Sequence, residues 1–419
     1  MVLNSDFRGK FIIDRLMIIL YLTHCVINVF SHLIIQTVGG IGNIAFIYFL
    51  LFYFAFIYGK PNDSKKYVFR YVSLGLFLFI YIYFMQFLYH QAQFYDAHGV
   101  NFETHVWNLI SFIPLILTAT FIALKTNRAT AIWISRVFIC LLLMTLLPSV
   151  VFLIKDPSLA KLTATSDGGY VPFLVNYSVI YGLAIIIPYF FFSQKLHHKF
   201  LVFAEFTVGL LAIVGICMSS FFIALMATVG GLLIGLILRI RNKRLRFLII
   251  FFFVSFVVVF LYTDAAYHTL NWISANIIQS QLLSTRFEQV ALFLKTGETG
   301  DTTVRIDLYK EAVDLVIRHP LTGNILWNDA ALSGHSVLLD VWGGCGIIAV
   351  ATLISFFASI YKSNRVYCRP VRLAAAFNAS TISLLFVSLV NPVFASPSIC
   401  IFWILAPLMF GIKKEDLCI

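Results

Sequence analysis

Residues 239–262 have the sequence RIRNKRLRFLIIFFFVSFVVVFLY, in which a basic cluster is followed directly by an apolar run. In the run from 247 to 262 only Ser255 is not apolar or aromatic, and such a run can cross a bilayer as an α-helix. The five Lys and Arg residues before it indicate the cytoplasmic side, because basic loops are retained there. Apolar runs and short basic loops alternate in the same way along the rest of the chain.

The composition of the chain excludes a soluble enzyme. Of 419 residues, 60% are hydrophobic, only 12% are charged, and the mean hydropathy is +0.92. Soluble domains carry about 25% charged residues, so most of this surface must face lipid. The net charge of +11 could indicate a nucleic-acid-binding protein, but the basic residues form short clusters between apolar runs instead of one stripe. Membrane topology accounts for them better.

The apolar runs predict an all-α, polytopic membrane protein with about 12 transmembrane helices. The predicted spans are 15–35, 41–59, 71–90, 107–124, 131–154, 172–192, 200–218, 220–238, 247–262, 337–360, 373–391 and 393–411. Sorting the 30 Lys and Arg residues by loop puts 22 on one side, seven on the other and Arg136 inside a span. Both termini are therefore predicted to be cytoplasmic.

Cysteine spacing indicates neither a metal site nor a disulfide framework. The seven cysteines lie in apolar runs or basic loops, and none has a Cys-x-x-Cys or Cys/His spacing. We therefore expect the protein to work without a metal or other cofactor.

The chain divides into three regions. Residues 1–262 hold spans 1–9, residues 263–334 form one long periplasmic or external loop, and residues 335–419 hold spans 10–12. Within the loop, 304–319 has the apolar spacing of an amphipathic helix, with Thr302 or Thr303 as its cap and Pro320 and Gly323 after it. A long loop on an otherwise minimal membrane protein is where we expect function.

The loop and the helix after it carry the residues that could do chemistry. His335 lies where the chain re-enters the membrane, and Asp340 follows it by just over one helical turn. His335 alone could equally be a cap or an interfacial residue. Arg286 and Arg305 could hold phosphate oxygens, because the guanidinium fork matches them, although the eight acidic residues of the loop allow ordinary surface pairing instead. For Arg318, at a predicted helix C-terminus, a structural role is favoured.

Three short motifs follow one another here: RIDLYKEA at 305–312, HPLTG at 319–323 and GHSVLLD at 334–340. Their order, followed by a glycine-rich helix, resembles the bacterial family of polysaccharide repeat-unit polymerases and O-antigen ligases. The motifs cover about 45 residues, and the twelve-span arrangement agrees with the family over the rest of the chain. The Gly-His-Ser form is more similar to O-antigen and capsule polymerases than to ligases.

The resemblance implies a glycosyltransferase of capsule or lipopolysaccharide biosynthesis in the bacterial cytoplasmic (inner) membrane. Its donor would be an undecaprenyl-diphosphate-linked glycan and its acceptor the terminal sugar hydroxyl of another lipid-linked repeat unit. The reaction would need no metal and would invert the anomeric carbon. By motif position, His335, Arg305 and Arg286 would be catalytic, and Asp340 and Tyr309 would bind substrate. Expected partners are the lipid-linked oligosaccharide, membrane lipid and a chain-length regulator, but no nucleic acid.

One departure from the family concerns the phosphate-binding arginines. Many members have a Ser-Arg pair before the loop, where this chain has Met218-Ser219-Ser220-Phe221. Arg286 would then have to replace that arginine.

The lipid tail of the donor would need a groove between helices. The candidate small residues that could line it are Gly343, Gly344 and Gly346 in span 10 and Gly230, Gly231 and Gly235 in span 8.

Two alternatives stay open. An O-antigen ligase would use the same donor but would transfer the glycan to lipid A-core. A lipid-linked oligosaccharide flippase would be a transporter, for which we would expect internal repeats and a polar cluster at the membrane midplane. The sequence shows no repeat between residues 1–210 and 211–419 and no polar cluster at the midplane of the spans. The long loop also favours the enzyme.

The topology can be tested by labelling single-cysteine variants in intact cells. Labelling from the cytoplasmic side alone is expected for cysteines that replace Lys66, Lys199, Arg244 and Arg365. Labelling from the outside alone is expected for cysteines that replace Asp167 and Glu298. Outside labelling at position 244 would contradict the twelve-span arrangement.

Overall fold

The computed structural model is an α-helical bundle, and the long loop between spans 9 and 10 forms further helices at one end of it. It describes residues 5–58, 73–78, 80–81, 84, 113–123, 128–159, 173–192, 199–278, 281–297, 300–323, 336–368, 371–391 and 397–410. These ranges contain helices and no strand, which confirms the all-α fold class. The count of twelve spans stays a prediction, because parts of the predicted spans 71–90 and 107–124 lie outside the described residues.

The helices are numbered here in chain order. Their bounds are α1 Ser5–Val26, α2 Asn28–Tyr58, α3 Ile113–Ala123, α4 Arg128–Lys155, α5 Tyr177–Phe192, α6 Lys199–Met218, α7 Phe222–Leu238, α8 Lys243–Tyr262, α9 Asp264–Asn276, α10 Gln281–Thr296, α11 Gly300–Arg318, α12 Val337–Tyr367, α13 Val371–Val390 and α14 Pro397–Phe410. The predicted spans from 131 onward, where they are described, each correspond to an apolar helix.

Five described segments are long and apolar enough to cross a membrane. They are His32–Phe56, Thr130–Lys155, Lys243–Tyr262, Val337–Arg365 and Val371–Val390. Shorter apolar helices accompany them, among them α5, α7 and most of α6 and α14. Together these helices identify a multi-pass membrane protein.

The core of the bundle lies between α5 and α14, whose side chains are almost all buried. Gly182 lets the Phe402 ring approach α5, because a Cβ on that glycine would lie 2.6 Å from the ring. The same ring meets Phe138 of α4 edge-on, with 5.0 Å between centroids. The indole of Trp403 donates to the Thr381 hydroxyl at 3.0 Å, which satisfies a polar group that lipid could not. Two of the shorter apolar helices therefore form the centre.

A chain of contacts connects one end of the helices to the long loop. Ser398 Oγ donates to the Cys25 carbonyl at 2.8 Å, and its backbone N–H donates to Ser178 Oγ at 3.3 Å. Tyr177, beside Ser178, packs on Phe221, with 5.3 Å between ring centroids. The following residue, Phe222, contacts α10 in the long loop. We call this the loop end. The end of α1 and the starts of α5, α7 and α14 all lie there, as the alternation of basic loops predicts.

Gly39 marks the reversal between the first two predicted spans. Its φ of 73° is in the left-handed region, which glycine adopts without steric cost. Phe30 and Phe46 lie on either side of it, and their ring centroids are 6.2 Å apart. A straight helix would separate these residues by about 24 Å, so the chain turns back sharply at Gly39. Helix α1 begins at Ser5, ten residues before the predicted start of span 1, and where the span itself begins stays a prediction.

Gly346 divides α12 in the same way. Its φ of 78° and ψ of −177° nearly equal those of Gly39, 73° and 177°, and equal torsions in an otherwise helical backbone give equal bends. Predicted span 10 is therefore two pieces, 337–345 and 347–367. The second piece, at 1.5 Å per residue, is about 31 Å long and spans a bilayer by itself.

Substitution of Gly346 should destabilise the protein. An alanine there would have an unfavourable φ, which costs about 1–3 kcal/mol. In addition, its Cβ would lie 2.0 Å from the Leu321 carbonyl oxygen. We expect Gly346→Ala to lower the melting temperature in detergent and the amount of protein in membranes. Gly40→Ala is the control, because a Cβ at Gly40 meets nothing within 4 Å. Equal melting temperatures for the two variants would contradict this account of the bend.

Candidate functional site

The long loop folds into three helices, α9, α10 and α11. The sequence predicted only the last of them, and two signals for α10 were missed. One is the spacing of four between Leu283, Phe287 and Ala291, which are all buried. The other is a set of hydroxyl and carboxylate residues that join α9 to α10. Ser274 Oγ lies 2.7 Å from Ser284 Oγ and donates to Glu288 Oε1 at 2.9 Å.

Helix α10 is attached to the loop end of the bundle by an aromatic contact. The Phe287 ring meets Phe222, the first residue of α7, at 5.1 Å between centroids and at right angles. Arg286 is next to Phe287, is partly buried, and donates from Nη1 to Gln289 Oε1 at 2.9 Å. The contact therefore attaches the helix that carries Arg286 to the start of α7.

The contact between Phe222 and Phe287 lies near the place in the chain where many family members have a Ser-Arg pair. Ser219 and Ser220 form the turn between α6 and α7, directly before the residues that meet α10. Ser219 is fully buried, and Ser220 has a φ of 59°. The docked α10 brings a helix with an arginine to the turn where this chain lacks one. That Arg286 takes over the position of the missing arginine stays a prediction.

Helix α11 covers the predicted amphipathic segment, but it begins earlier than predicted. It starts at Gly300, so Thr302 and Thr303 lie inside it and the predicted cap is wrong. Its end at Arg318, before Pro320 and Gly323, agrees with the prediction. An early start is compatible with the sequence, because neither threonine is a strong helix breaker.

Arg305 and Tyr309 share one face of α11. At 100° per residue, the helical positions of Tyr309, Ala312 and Val316 lie within about 40° of that of Arg305. Ala312 is fully buried and Tyr309 partly buried, so this face is turned toward the protein. The side chain of Arg305 lies outside the described part of the structure. The backbone therefore puts both predicted site residues of α11 on its inner face.

The opposite face of α11 carries ordinary surface pairs. Lys310 Nζ lies 3.0 Å from Asp307 Oδ1, and both side chains are mostly exposed. Arg318 pairs with Asp314, and its hydrogen bond lowers the pKa of that carboxyl. Arg318 is therefore a surface residue, as the sequence predicted.

The turn after α11 packs directly on the bend of α12. The Pro320 carbonyl accepts from the Trp342 indole at 3.1 Å and from the Ile347 backbone N–H at 3.0 Å. A Cβ on Gly323 would lie 2.6 Å from the Gly344 carbonyl carbon, so the two backbones touch. The HPLTG motif thus joins α11 to α12, and the two helices also pack against each other.

These contacts correct the expected use of the glycines. In α12, Gly344 and Gly346 are approached by the backbone of the 319–323 turn. In α7, Gly231 and Gly235 admit neighbouring helices, because their Cβ atoms would meet Ser383 Oγ at 2.6 Å and the Phe192 ring at 2.2 Å. Only Gly230 of the α7 candidates has nothing within 4 Å.

The start of α12 is built by Ser336 and Asp340. Ser336 Oγ accepts from the Leu339 N–H at 3.4 Å, and Asp340 Oδ2 accepts from the Ser336 N–H at 3.3 Å. Asp340 is buried, and this bond holds its carboxylate at the peptide bond that joins His335 to Ser336. His335 itself lies outside the described residues. Asp340 therefore has a capping function that the sequence had not predicted.

The predicted site residues lie on three helices, α10, α11 and α12. Tyr309 and Asp340 are on α11 and α12, which pack together, and the backbone of Arg305 is on the same face of α11 as Tyr309. Arg286 is on α10, which is docked on α7. All four belong to the loop end. The arrangement therefore combines two helices that carry an arginine with a helix that carries a buried carboxylate.

Comparison with known proteins finds one family model that matches part of the chain. Residues 206–324 match the model of the O-antigen ligase family. The match confirms the resemblance inferred from the loop motifs and indicates a membrane enzyme of the O-antigen ligase and polymerase type. It runs from α6 to the end of the HPLTG turn, so it contains Arg286, Arg305 and Tyr309 but not His335 or Asp340. No curated protein matches the chain.

Loss of the aromatic anchor should release α10. Phe287 is 5% exposed, and truncation of a buried Phe to Ala costs about 3–5 kcal/mol. We expect Phe287→Ala to make α10 much more sensitive to limited proteolysis while the bundle stays intact. Leu292→Ala on the same helix is the matched control, since Leu292 is 45% exposed. Equal cleavage rates would show that Phe287 does not hold α10.

Proposed function

We propose that this protein is a polysaccharide polymerase. It transfers a glycan from an undecaprenyl diphosphate carrier to the terminal sugar hydroxyl of another lipid-linked repeat unit. The observation that carries the proposal is the family match over 206–324, which contains the two arginine-bearing helices attached to the membrane bundle. The reaction takes place on the outer face of the bacterial inner membrane, with both termini of the chain in the cytoplasm.

The chemistry follows from the donor. The acceptor oxygen forms a new bond to the anomeric carbon, and the bond between that carbon and the phosphate oxygen breaks with inversion. Undecaprenyl diphosphate leaves with the bonding electrons, so its negative charge grows in the transition state. Arg286 and Arg305 stabilise this charge, which is the kind of electrostatic stabilisation that contributes most to many enzymes. Because the leaving group is already activated, the reaction needs no metal.

His335 acts on the acceptor side. A neutral imidazole can accept the proton that the sugar hydroxyl loses as it attacks. Asp340 supports it by fixing the backbone next to it, since its carboxylate accepts from the N–H of the following residue. Tyr309, partly buried on the inner face of α11, contributes to sugar binding.

The form of the motif at 334–340 favours a polymerase over a ligase. Both enzymes use the same donor, and they differ in whether the acceptor is another repeat unit or lipid A-core. A chain-length regulator is the expected protein partner of a polymerase. A flippase would use the same lipid-linked glycan without breaking any bond.

A reconstitution experiment separates these functions. Purified protein in vesicles is mixed with undecaprenyl-diphosphate repeat units alone, and products are separated by chain length. We expect longer chains and released undecaprenyl diphosphate. Product only after addition of lipid A-core would identify a ligase. Translocation without a new glycosidic bond would identify a flippase and overturn the proposal.

Arginine variants test the charge stabilisation. Arg286→Ala and Arg305→Ala should abolish polymer, whereas Arg318→Ala should be tolerated, because an exposed ion pair contributes about 0–1 kcal/mol. Lys295→Ala is a second control, since Lys295 lies over the Tyr267 ring at 4.4 Å, outside the proposed site. Polymer length and membrane abundance are measured together. Normal polymer from Arg305→Ala at normal abundance would exclude the role of that arginine.

Histidine variants test the proton transfer. General acid–base groups contribute about 10²–10⁴ in rate, so His335→Ala should give single repeat units and little long chain. His335→Gln should keep partial activity if the residue only orients the hydroxyl. Asp340→Asn should have a milder effect than His335→Ala. Normal chains from His335→Ala would refute the role, and loss of the protein from membranes would make His335 structural.

A further inference from the structure

The first piece of α12, residues 337–345, is separated from the rest of its helix by the bend at Gly346. It begins two residues after His335 and carries Asp340. From Gly346 back to Ser336 the helix rises about 15 Å, so a tilt of about 4° at the bend moves residue 336 by about 1 Å. A displacement of that size can reduce the rate of an enzyme about 100-fold. The tilt of the first piece therefore matters for any chemistry at its start.

A tyrosine from another predicted span holds the last carbonyl of the first piece. The Tyr81 hydroxyl donates to the Cys345 carbonyl oxygen at 2.9 Å. In a straight helix that carbonyl would accept from the N–H four residues later, and the torsions of Gly346 interrupt this pattern. The tyrosine therefore supplies a hydrogen bond at the point where the helix is broken.

Tyr81 itself is anchored to the second piece of α12, residues 347–367. In the same predicted span, a Cβ on Gly75 would lie 3.4 Å from the Phe356 ring, so the two segments are in close contact. The Phe77 ring stacks on the Tyr81 ring, with 6.1 Å between centroids, and so orients the phenol. The hydroxyl therefore reaches from an element packed on the second piece, across the bend, to the first piece.

The first piece has another attachment, to the turn after α11. The Trp342 indole donates to the Pro320 carbonyl at 3.1 Å, and the same carbonyl accepts from the Ile347 N–H, which belongs to the second piece. Helix α11 is thus bound to both pieces. A small tilt of the first piece leaves α11 attached to the second, so the start of α12 can move while the helices that carry the arginines stay in place.

We propose that Tyr81 is a positioning residue for glycosyl transfer. Its hydroxyl fixes the tilt of the first piece, and with it the peptide bond between His335 and Ser336, which Asp340 also holds. This inference rests on the proposed function, in which His335 accepts the proton of the sugar hydroxyl. Loss of the Tyr81 bond then lowers the rate of the chemical step and leaves donor binding by the arginines of α10 and α11 unchanged.

The first test compares two tyrosines that each donate one hydrogen bond. Tyr81→Phe removes the hydroxyl and keeps the ring. With lipid-linked repeat units in vesicles, we expect its kcat to fall about tenfold, as for one lost hydrogen bond, and its KM for the donor to stay within about twofold of wild type. Tyr361→Phe is the matched control, because the Tyr361 hydroxyl donates from the second piece to Asn378 Oδ1 at 3.0 Å.

Tyr361→Phe loses a bond of nearly the same length and should keep the wild-type kcat. An equal loss of kcat in the two variants would mean that the effect is only structural and would overturn the proposal. An unchanged kcat in Tyr81→Phe would overturn it as well.

A second measurement does not need catalysis. Backbone hydrogen–deuterium exchange is followed by mass spectrometry in peptides from residues 337–345 and from α11. Tyr81→Phe should accelerate exchange in the first piece and not in α11, and Tyr361→Phe should accelerate it in neither. Equal exchange in wild type and Tyr81→Phe would overturn the proposal. Accelerated exchange in Tyr81→Phe, together with a wild type that transfers no glycan, would refute the proposed function and keep the bond as the restraint on the first piece.

Trp342→Phe carries the test if Tyr81→Phe is lost from membranes. It removes the other hydrogen bond of the first piece and leaves the Pro320 carbonyl bonded to Ile347. Its kcat should also fall about tenfold while KM stays within about twofold of wild type. A wild-type kcat from Trp342→Phe would show that the tilt of the first piece does not limit transfer, and would overturn the proposal.

Discussion

The backbone of a broken helix must find new hydrogen-bond partners where protein packing excludes water, because an unpaired buried polar group is costly. At Gly346 the bend frees the Ile347 N–H, and the Pro320 carbonyl accepts it at 3.0 Å. The bend also exposes the Cys345 carbonyl, which accepts from the Tyr81 hydroxyl at 2.9 Å. The loop is thus not simply attached to the bundle. It completes a membrane helix that would otherwise leave polar groups unsatisfied, and this requirement fixes α11 against α12.

This requirement also explains the order of the loop motifs. A proline has no N–H to satisfy, so at position 320 it presents only its carbonyl, which both the Trp342 indole and Ile347 use. Glycines at 323 and 346 let the two backbones touch. The residues between α11 and α12 therefore couple an external helix to a membrane helix. This contact between main chains therefore fixes the helix that carries Arg305 relative to the helix that carries Asp340.

The sequence predicted the parts of the fold that depend on local pattern. Helix α8 follows from its apolar run, and the end of α11 follows from Pro320. Helices α9 and α10 were missed, because their stability comes from packing on each other and on Phe222, a partner far away in the chain. Gly231, Gly235 and Gly346 were correctly identified as points of close approach and Gly230 was not, and a glycine does not specify what approaches it. Asp340 was identified by its distance from His335, whereas its bond to the Ser336 N–H depends on where α12 begins.

Helix α8 differs from the other membrane helices in having no buried side chain. In the described part of the chain its side chains are exposed or only partly buried, so packing constrains their shape less than it constrains the side chains of α5 and α14. The contacts of α8 are mainly with α7 and α9, so packing restricts its tilt less than that of the core helices. A difference in bilayer thickness can therefore be accommodated by the tilt of α8 with little change in the packing between α5 and α14.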